Sequence, residues 1–221
     1  VSLWEQEQGG INMSNTKTTS SAKRRNSTVN LTVTAALAAI IVVMTFTPVG
    51  YLNIGIVEIT FLTIPVAIGA IVCGPASGAV LGAVFGLTSF MQCFGIGRPS
   101  VFGAALLAIN PISTAIICFL PRILAGFLSG LIFKAFKNKQ GVISYAVTSL
   151  STGVFNTLFF LAVLILGFSK ESLTGLQLGD NLLQIVGAII TVNSVIEWVV
   201  CLVVGLAVSK ALAAVLKNKR A

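Results

Sequence analysis

The chain contains no histidine, and charged residues make up only 9% of its 221 positions. The first absence removes the commonest general base and the imidazole ligands of zinc sites. The second removes the surface of an ordinary soluble domain, in which roughly 25% of residues are charged. Cysteine is sparse and scattered. Cys73, Cys93, Cys118 and Cys201 lack metal-ligand spacing and are expected as small apolar core residues. No glycine loop ends in Lys-Ser or Lys-Thr, so no nucleotide site of the chain's own is expected. Serine–histidine hydrolysis inside a membrane goes with the missing imidazole. Glu58 and Glu197 stand on different segments at different depths, which leaves no carboxylate cluster for metal-dependent chemistry. The expectation is therefore a protein that is not an enzyme and carries neither metal nor cofactor.

What is present is apolar: 56% of residues are hydrophobic and the mean hydropathy is +0.99. Windows of about 20 such residues predict membrane spans. Six are expected, over about Leu31–Thr47, Glu58–Cys73, Ala76–Gln92, Asn110–Phe136, Val142–Phe168 and Asn181–Leu216. Residues 1–30 are expected as a disordered tail, rich in Ser, Thr, Asn, Lys and Arg, and residues 217–221 as a short basic tail. Within "VSLWEQEQGGIN", the stretch "EQGGI" resembles a translated ribosome-binding sequence, so the native start is expected at Met13.

The formal net charge of +8 is a topology signal rather than a nucleic-acid footprint. Eleven of the 14 basic residues fall before span one, around the junction of spans four and five, or at the end of span six and beyond. Only Arg98 and Lys170 fall on the opposite side, and Arg122 lies within span four. The excess of Lys and Arg in cytoplasmic segments puts both termini in the cytoplasm, and nucleic acid is not an expected partner.

Small residues recur every four positions at Gly74, Gly78, Gly82 and Gly86, and again at Gly126 and Gly130. Such stripes let helices approach closely. Ala35 and Ala39 form a similar step in span one, suited either to internal packing or to another protein.

Ionisable groups inside a bilayer are expensive and point to pairing or function. At about 1.5 Å rise per residue, Arg122, Asn156 and Asn193 fall about 18 Å from the outer ends of their spans, with Glu197 one turn deeper. Two arrangements fit: an Arg122–Glu197 ion pair that staples spans four and six, or the floor of an outward-facing polar cavity with Asn156 and Asn193 as ligand contacts. Pro121 bends its helix and frees a backbone carbonyl, which suits a solute site. Loop one, "PVGYLNIGIVE", adds Asn53 and Glu58. Loop three adds Arg98 and Asn110, with Gly95, Gly97 and Gly103 permitting a lid. A cavity, a lid and no energy source favour a solute-binding membrane subunit. A small secondary transporter, which generally shows internal repeats, and a structural membrane protein are the alternatives.

The stretch "VEITFLTIPVAIGAIVCGPASGAVLGAVFGLTSF" (57–90) resembles helices two and three of the substrate-binding S components of energy-coupling factor (ECF) vitamin transporters. Ala35 and Ala39 resemble that family's docking motif, and "NPISTAIICFLPRILAG" (110–126) is similar to its pantothenate-type members. The likeness spans about residues 29–216. It implies an all-α bundle of six transmembrane helices, a vitamin bound near the outer face, and partners comprising a transmembrane coupling subunit and two cytoplasmic ATPases. Pantothenate suits Arg122 or Arg98 for its carboxylate and Asn53, Asn110, Asn156, Asn193 and Glu197 for its amide and hydroxyls. Riboflavin, folate and hydroxymethylpyrimidine are the alternative ligands.

Overall fold

The computed structural model describes residues 27–47, 50–54, 57–97, 99–136, 141–168, 187 and 192–220, with the side chains of 51–54, 57–59, 141, 192, 193, 213 and 216–220 left out. The elements run α1 (Ser27–Phe46), β1 (Tyr51–Ile54), β2 (Val57–Thr60), α2 (Thr63–Val72), α3 (Pro75–Cys93), α4 (Val101–Ile109), α5 (Pro111–Phe136), α6 (Gly141–Gly167) and α7 (Val192–Arg220). The tail expected over 1–30 lies largely outside the described residues, and α1 opens at Ser27.

Five helices among the described residues are long and apolar enough to cross a membrane: α1, α3, α5, α6 and the Ser194–Leu212 part of α7. Their outward faces carry large exposed apolar side chains such as Leu31, Val43, Ile112 and Leu166. The expected second span is corrected. In place of one helix over Glu58–Cys73, the chain forms an antiparallel hairpin, with Tyr51 opposite Thr60 and Asn53 opposite Glu58, followed by the 10-residue α2. Apart from this short hairpin, which begins in the outer loop expected at 48–58, the described elements are helices, in keeping with the expected all-α class. The physical reason for the short α2 is burial. Almost all of α2 is enclosed by α3, α5, α6 and α7, so protein rather than lipid surrounds its ends.

Proline and glycine set the element ends. Gly74 has φ of 99°, a conformation open to glycine, and Pro75 starts α3 where a missing N–H costs nothing. Ser100 caps α4 by accepting from the Gly103 N–H at 3.1 Å. Pro111 opens α5 just after the Asn110 cap.

The central contact is α3 against α5. A Cβ on Gly78 would strike the Gly126 carbonyl, one on Gly82 the Arg122 carbonyl, and one on Gly86 the Cys118 carbonyl at 2.8 Å. Both glycine stripes are therefore spent on each other, inside the chain. Helix α6 meets α7 similarly, with Gly153 against Trp198 and Gly205 against Ser149. Ala35 and Ala39, by contrast, lie exposed on α1.

Candidate functional site

Two apolar clusters divide the interior. One gathers Leu37, Ile41, Leu62, Val66, Leu81 and Phe85; the other gathers Leu106, Ile117, Leu161, Leu164 and Phe168 with Cys93 and Cys118. Between them lies a cavity of about 130 Å³ bordered by α3, α4, α5, α6, α7 and the end of β2. One water occupies roughly 10–15 Å³ on this measure, so the space suits a small organic solute.

Polar groups converge on it. Arg122 reaches in from α5, Asn156 and Thr157 from α6, Ser194 and Glu197 from α7, Ser89 and Gln92 from α3, and Thr60 from β2. Phe102, Gly103 and Leu106 of α4 close one side. The expected lid region is thus a short helix. Gly95 and Gly97, with φ of 79° and 82°, turn the chain before it, and Gly103 lies within it against Cys93.

Arg122 is held on three sides. Its guanidinium carbon lies 5.3 Å from the ring centroids of both Phe85 and Phe160. Cation–π contacts of this kind reach about 2 kcal/mol when desolvated. Its Nη1 donates to the Ile117 carbonyl, while its Nε is buried without a hydrogen-bond partner. On the same cavity, Glu197 is 7% exposed and accepts from Asn156 Nδ2 at 3.5 Å. Trp198 Nε1 donates to Thr157 Oγ1 at 3.2 Å, and that hydroxyl in turn donates to the Gly153 carbonyl at 3.2 Å. Gln92 Nε2 and Asn156 Oδ1 are likewise buried and unpartnered. A buried polar atom without a partner costs about 1–3 kcal/mol. Several around one cavity describe a surface shaped for a hydrogen-bonding guest.

The structure brings Arg122, Asn156 and Glu197 to this cavity. Of the two arrangements, a direct Arg122–Glu197 ion pair is not among the described contacts; Arg122 bonds to the Ile117 carbonyl and lies against two aromatic rings. Asn110 is also corrected. It is exposed, and its Oδ1 accepts from the Ile112 and Ser113 N–H groups at 3.1 Å each, capping α5 instead of facing the cavity. Asn53 and Glu58 are register partners in the hairpin, and Asn193 falls in the first turn of α7; the side chains of all three lie outside the described set. Arg98 lies outside the described residues. Sequence reasoning missed Gln92, which ends an apolar span and looked like a boundary, and Phe85 and Phe160, which an apolar pattern cannot tell from lipid-facing residues. Cys93 and Cys118 are in no disulfide, although their sulfurs lie 3.9 Å apart on the cavity wall. Among the described residues no group of three or more His, Cys, Asp or Glu could hold a metal.

Comparison with known proteins bears on this arrangement. A family model described as "ECF transporter, substrate-specific component" matches residues 29–209. The chain is 31% identical over 167 residues to the pantothenic acid transporter PanT of Lactococcus lactis subsp. cremoris (strain MG1363), covering 71% of this chain and 78% of that protein. It is 28% identical over 202 residues to the pantothenate transporter PanT of Leuconostoc mesenteroides subsp. mesenteroides, covering 85% of this chain and 93% of that one.

Proposed function

We propose, because the chain belongs to the family of ECF-transporter substrate-specific components, that it captures pantothenate at the outer face of the bacterial cell membrane for uptake. The observation that carries the reading is a cavity lined by both a guanidinium and a carboxyl group. Arg122 offers a fixed cation, while Glu197 and Asn156 offer an acceptor and an amide. Pantothenate has a carboxylate at one end and two hydroxyls at the other, with an amide between. Its carboxylate would pair with Arg122 in a charge-assisted contact. Its hydroxyls would donate to the Glu197 carboxyl oxygens. Riboflavin would favour more aromatic stacking, and Phe85 and Phe160 here lie against the guanidinium. The names of the two PanT relatives support the same ligand.

Six crossings with both termini in the cytoplasm remain our topology. Four residues of β2 at about 3.3 Å each and ten of α2 at about 1.5 Å each span about 28 Å in series, close to the ~30 Å hydrocarbon core. Extended backbone at membrane depth is tolerated where protein or a polar cavity surrounds it, and Thr60 borders the cavity. In this reading a transmembrane coupling subunit and two cytoplasmic ATPases supply the energy, and the chain docks on the coupling subunit through Ala35 and Ala39. Asn53, Glu58, Arg98 and Asn193 stay as candidate contacts.

Thermal unfolding of the purified protein against pantothenate, riboflavin, folate and hydroxymethylpyrimidine tests the ligand. Saturation at 100 times the dissociation constant adds about 2.7 kcal/mol of stability, so pantothenate alone is expected to raise the melting temperature, and Arg122→Ala is expected to lose that rise while still inserting. A rise with another vitamin and none with pantothenate overturns the assignment. A response in Arg122→Ala equal to that of the wild type rejects the role of the arginine.

A further inference from the structure

Pro121 is buried inside α5, next in sequence to Arg122, which lines the cavity. A helical residue at 121 would donate its N–H to the carbonyl of Ile117, four positions back, and proline has no N–H to give. That same Ile117 carbonyl accepts from Arg122 Nη1. The carbonyl orphaned by the proline is thus the anchor of the neighbouring guanidinium. Phe85 and Phe160 hold the group from either side, each 5.3 Å from its central carbon. A guanidinium is planar, with two forked edges, one at its tip and one formed by Nε–H and Nη2–H along its side. Nη1 is engaged with Ile117, and Nε is buried with no partner. The side edge, away from Nη1, is the fork left unfilled.

Resting on the anionic-ligand reading above, we propose that the Nε–Nη2 edge of Arg122 is the subsite for a carboxylate held in a bidentate contact, and that Pro121 is the positioning residue that aims it. Planar carboxylates match such a fork with two parallel hydrogen bonds. Nothing else described near Arg122 gives it a counter-charge by direct contact, so the bound anion supplies it. With alanine at 121, a backbone N–H competes for the Ile117 carbonyl. Nη1 then loses its anchor and the fork turns away from the ligand. Pro121 touches no ligand itself; it acts through Ile117 and Arg122.

The experiment measures binding of pantothenate and of its primary-alcohol analogue, in which CH₂OH replaces the carboxylate, to the purified wild type, Pro121→Ala, Arg122→Ala and the double variant. The wild type is expected to prefer the acid by about tenfold or more, the range for a hydrogen bond to a charged group. Pro121→Ala is expected to weaken the acid about tenfold and the alcohol by less than about twofold, with an undiminished melting temperature. In the Arg122→Ala background the same change is expected to leave the acid-to-alcohol ratio where it was. An unchanged ratio in Pro121→Ala overturns the positioning role. Equal loss of both ligands also overturns it, because that is the signature of a general packing defect. If the wild type binds neither compound, the ligand reading itself falls, a result distinct from the other two.

Discussion

Glu197 shows how a single buried residue constrains what the cavity can hold. It is 7% exposed, and its described hydrogen bond comes from Asn156 Nδ2 at 3.5 Å. A carboxyl group in this position offers oxygen acceptors to hydroxyl donors. Its replacement by an amide of the same shape is the informative change. In Glu197→Gln the amide oxygen still accepts from Asn156, so the fold is expected to persist. Loss of one hydrogen bond to a ligand hydroxyl costs about 0.5–1.5 kcal/mol. The variant is therefore expected to bind pantothenate roughly 2- to 10-fold more weakly. Calorimetric titration of both proteins checks this, and equal affinities would remove Glu197 from the set of ligand contacts. The residue-scale pattern also explains which contacts were legible beforehand. Arg122, Asn156 and Glu197 stand out because a polar residue in an apolar helix is conspicuous and its depth can be counted. Asn110 was equally conspicuous but misleading, since an asparagine before Pro111 is also what a helix start requires. Phe85 and Phe160 were invisible, because an aromatic residue facing a guanidinium and one facing lipid look alike in a string.

At the scale of elements, α3 and α5 carry the architecture and the site together. Gly82 lies where its absent side chain would meet the Arg122 carbonyl, so the glycine stripe sets how close the arginine's helix stands to the cavity. Overpacking of a tight contact costs typically about 1–3 kcal/mol. Gly82→Val drives a branched side chain into backbone that cannot yield, and the upper part of that range or more is expected. The variant should lower the melting temperature of the purified protein and, by shifting Arg122, reduce pantothenate binding. Gly82→Val with wild-type stability and affinity would mean that the α3–α5 contact does not set the site. Both helices were predicted to within a residue at each end, over Ala76–Gln92 and Asn110–Phe136 against the observed Pro75–Cys93 and Pro111–Phe136. Proline and glycine mark those ends, so the boundaries are chemical. The β2–α2 segment was misjudged because "VEITFLTIPVAIGAIV" is uniformly apolar. A run without period is equally compatible with strand and helix, and only its enclosure by four other helices decides between them. Helix α4 was hidden for a related reason, being nine residues long inside what reads as a loop.

On the scale of the whole molecule, two stripes of small residues have opposite fates. The glycines of α3 and α5 are consumed internally, whereas Ala35 and Ala39 face outward on α1 beside the exposed Leu31, Ile40 and Val43. Helix α1 is also weakly enclosed, with 22% of its apolar window buried, against 44% for α3. Lipid can cover such a face, but lipid has no use for small residues at a fixed four-residue step, whereas another helix does, because close backbone approach is what drives association in a bilayer. The cavity is on the far side of this logic: it is lined from α3 through α7 and the end of β2, and no α1 residue borders it. Docking and ligand binding are therefore expected to separate cleanly. Tryptophan at both positions, Ala35→Trp with Ala39→Trp, should leave pantothenate affinity within about twofold of wild type while preventing co-purification with a transmembrane coupling subunit and abolishing uptake in cells. Loss of binding in the isolated variant would show that α1 supports the cavity, and an intact complex would show that the partner docks elsewhere. The combination of retained binding, lost assembly and lost uptake is the one that assigns capture to the cavity and energy coupling to the α1 face.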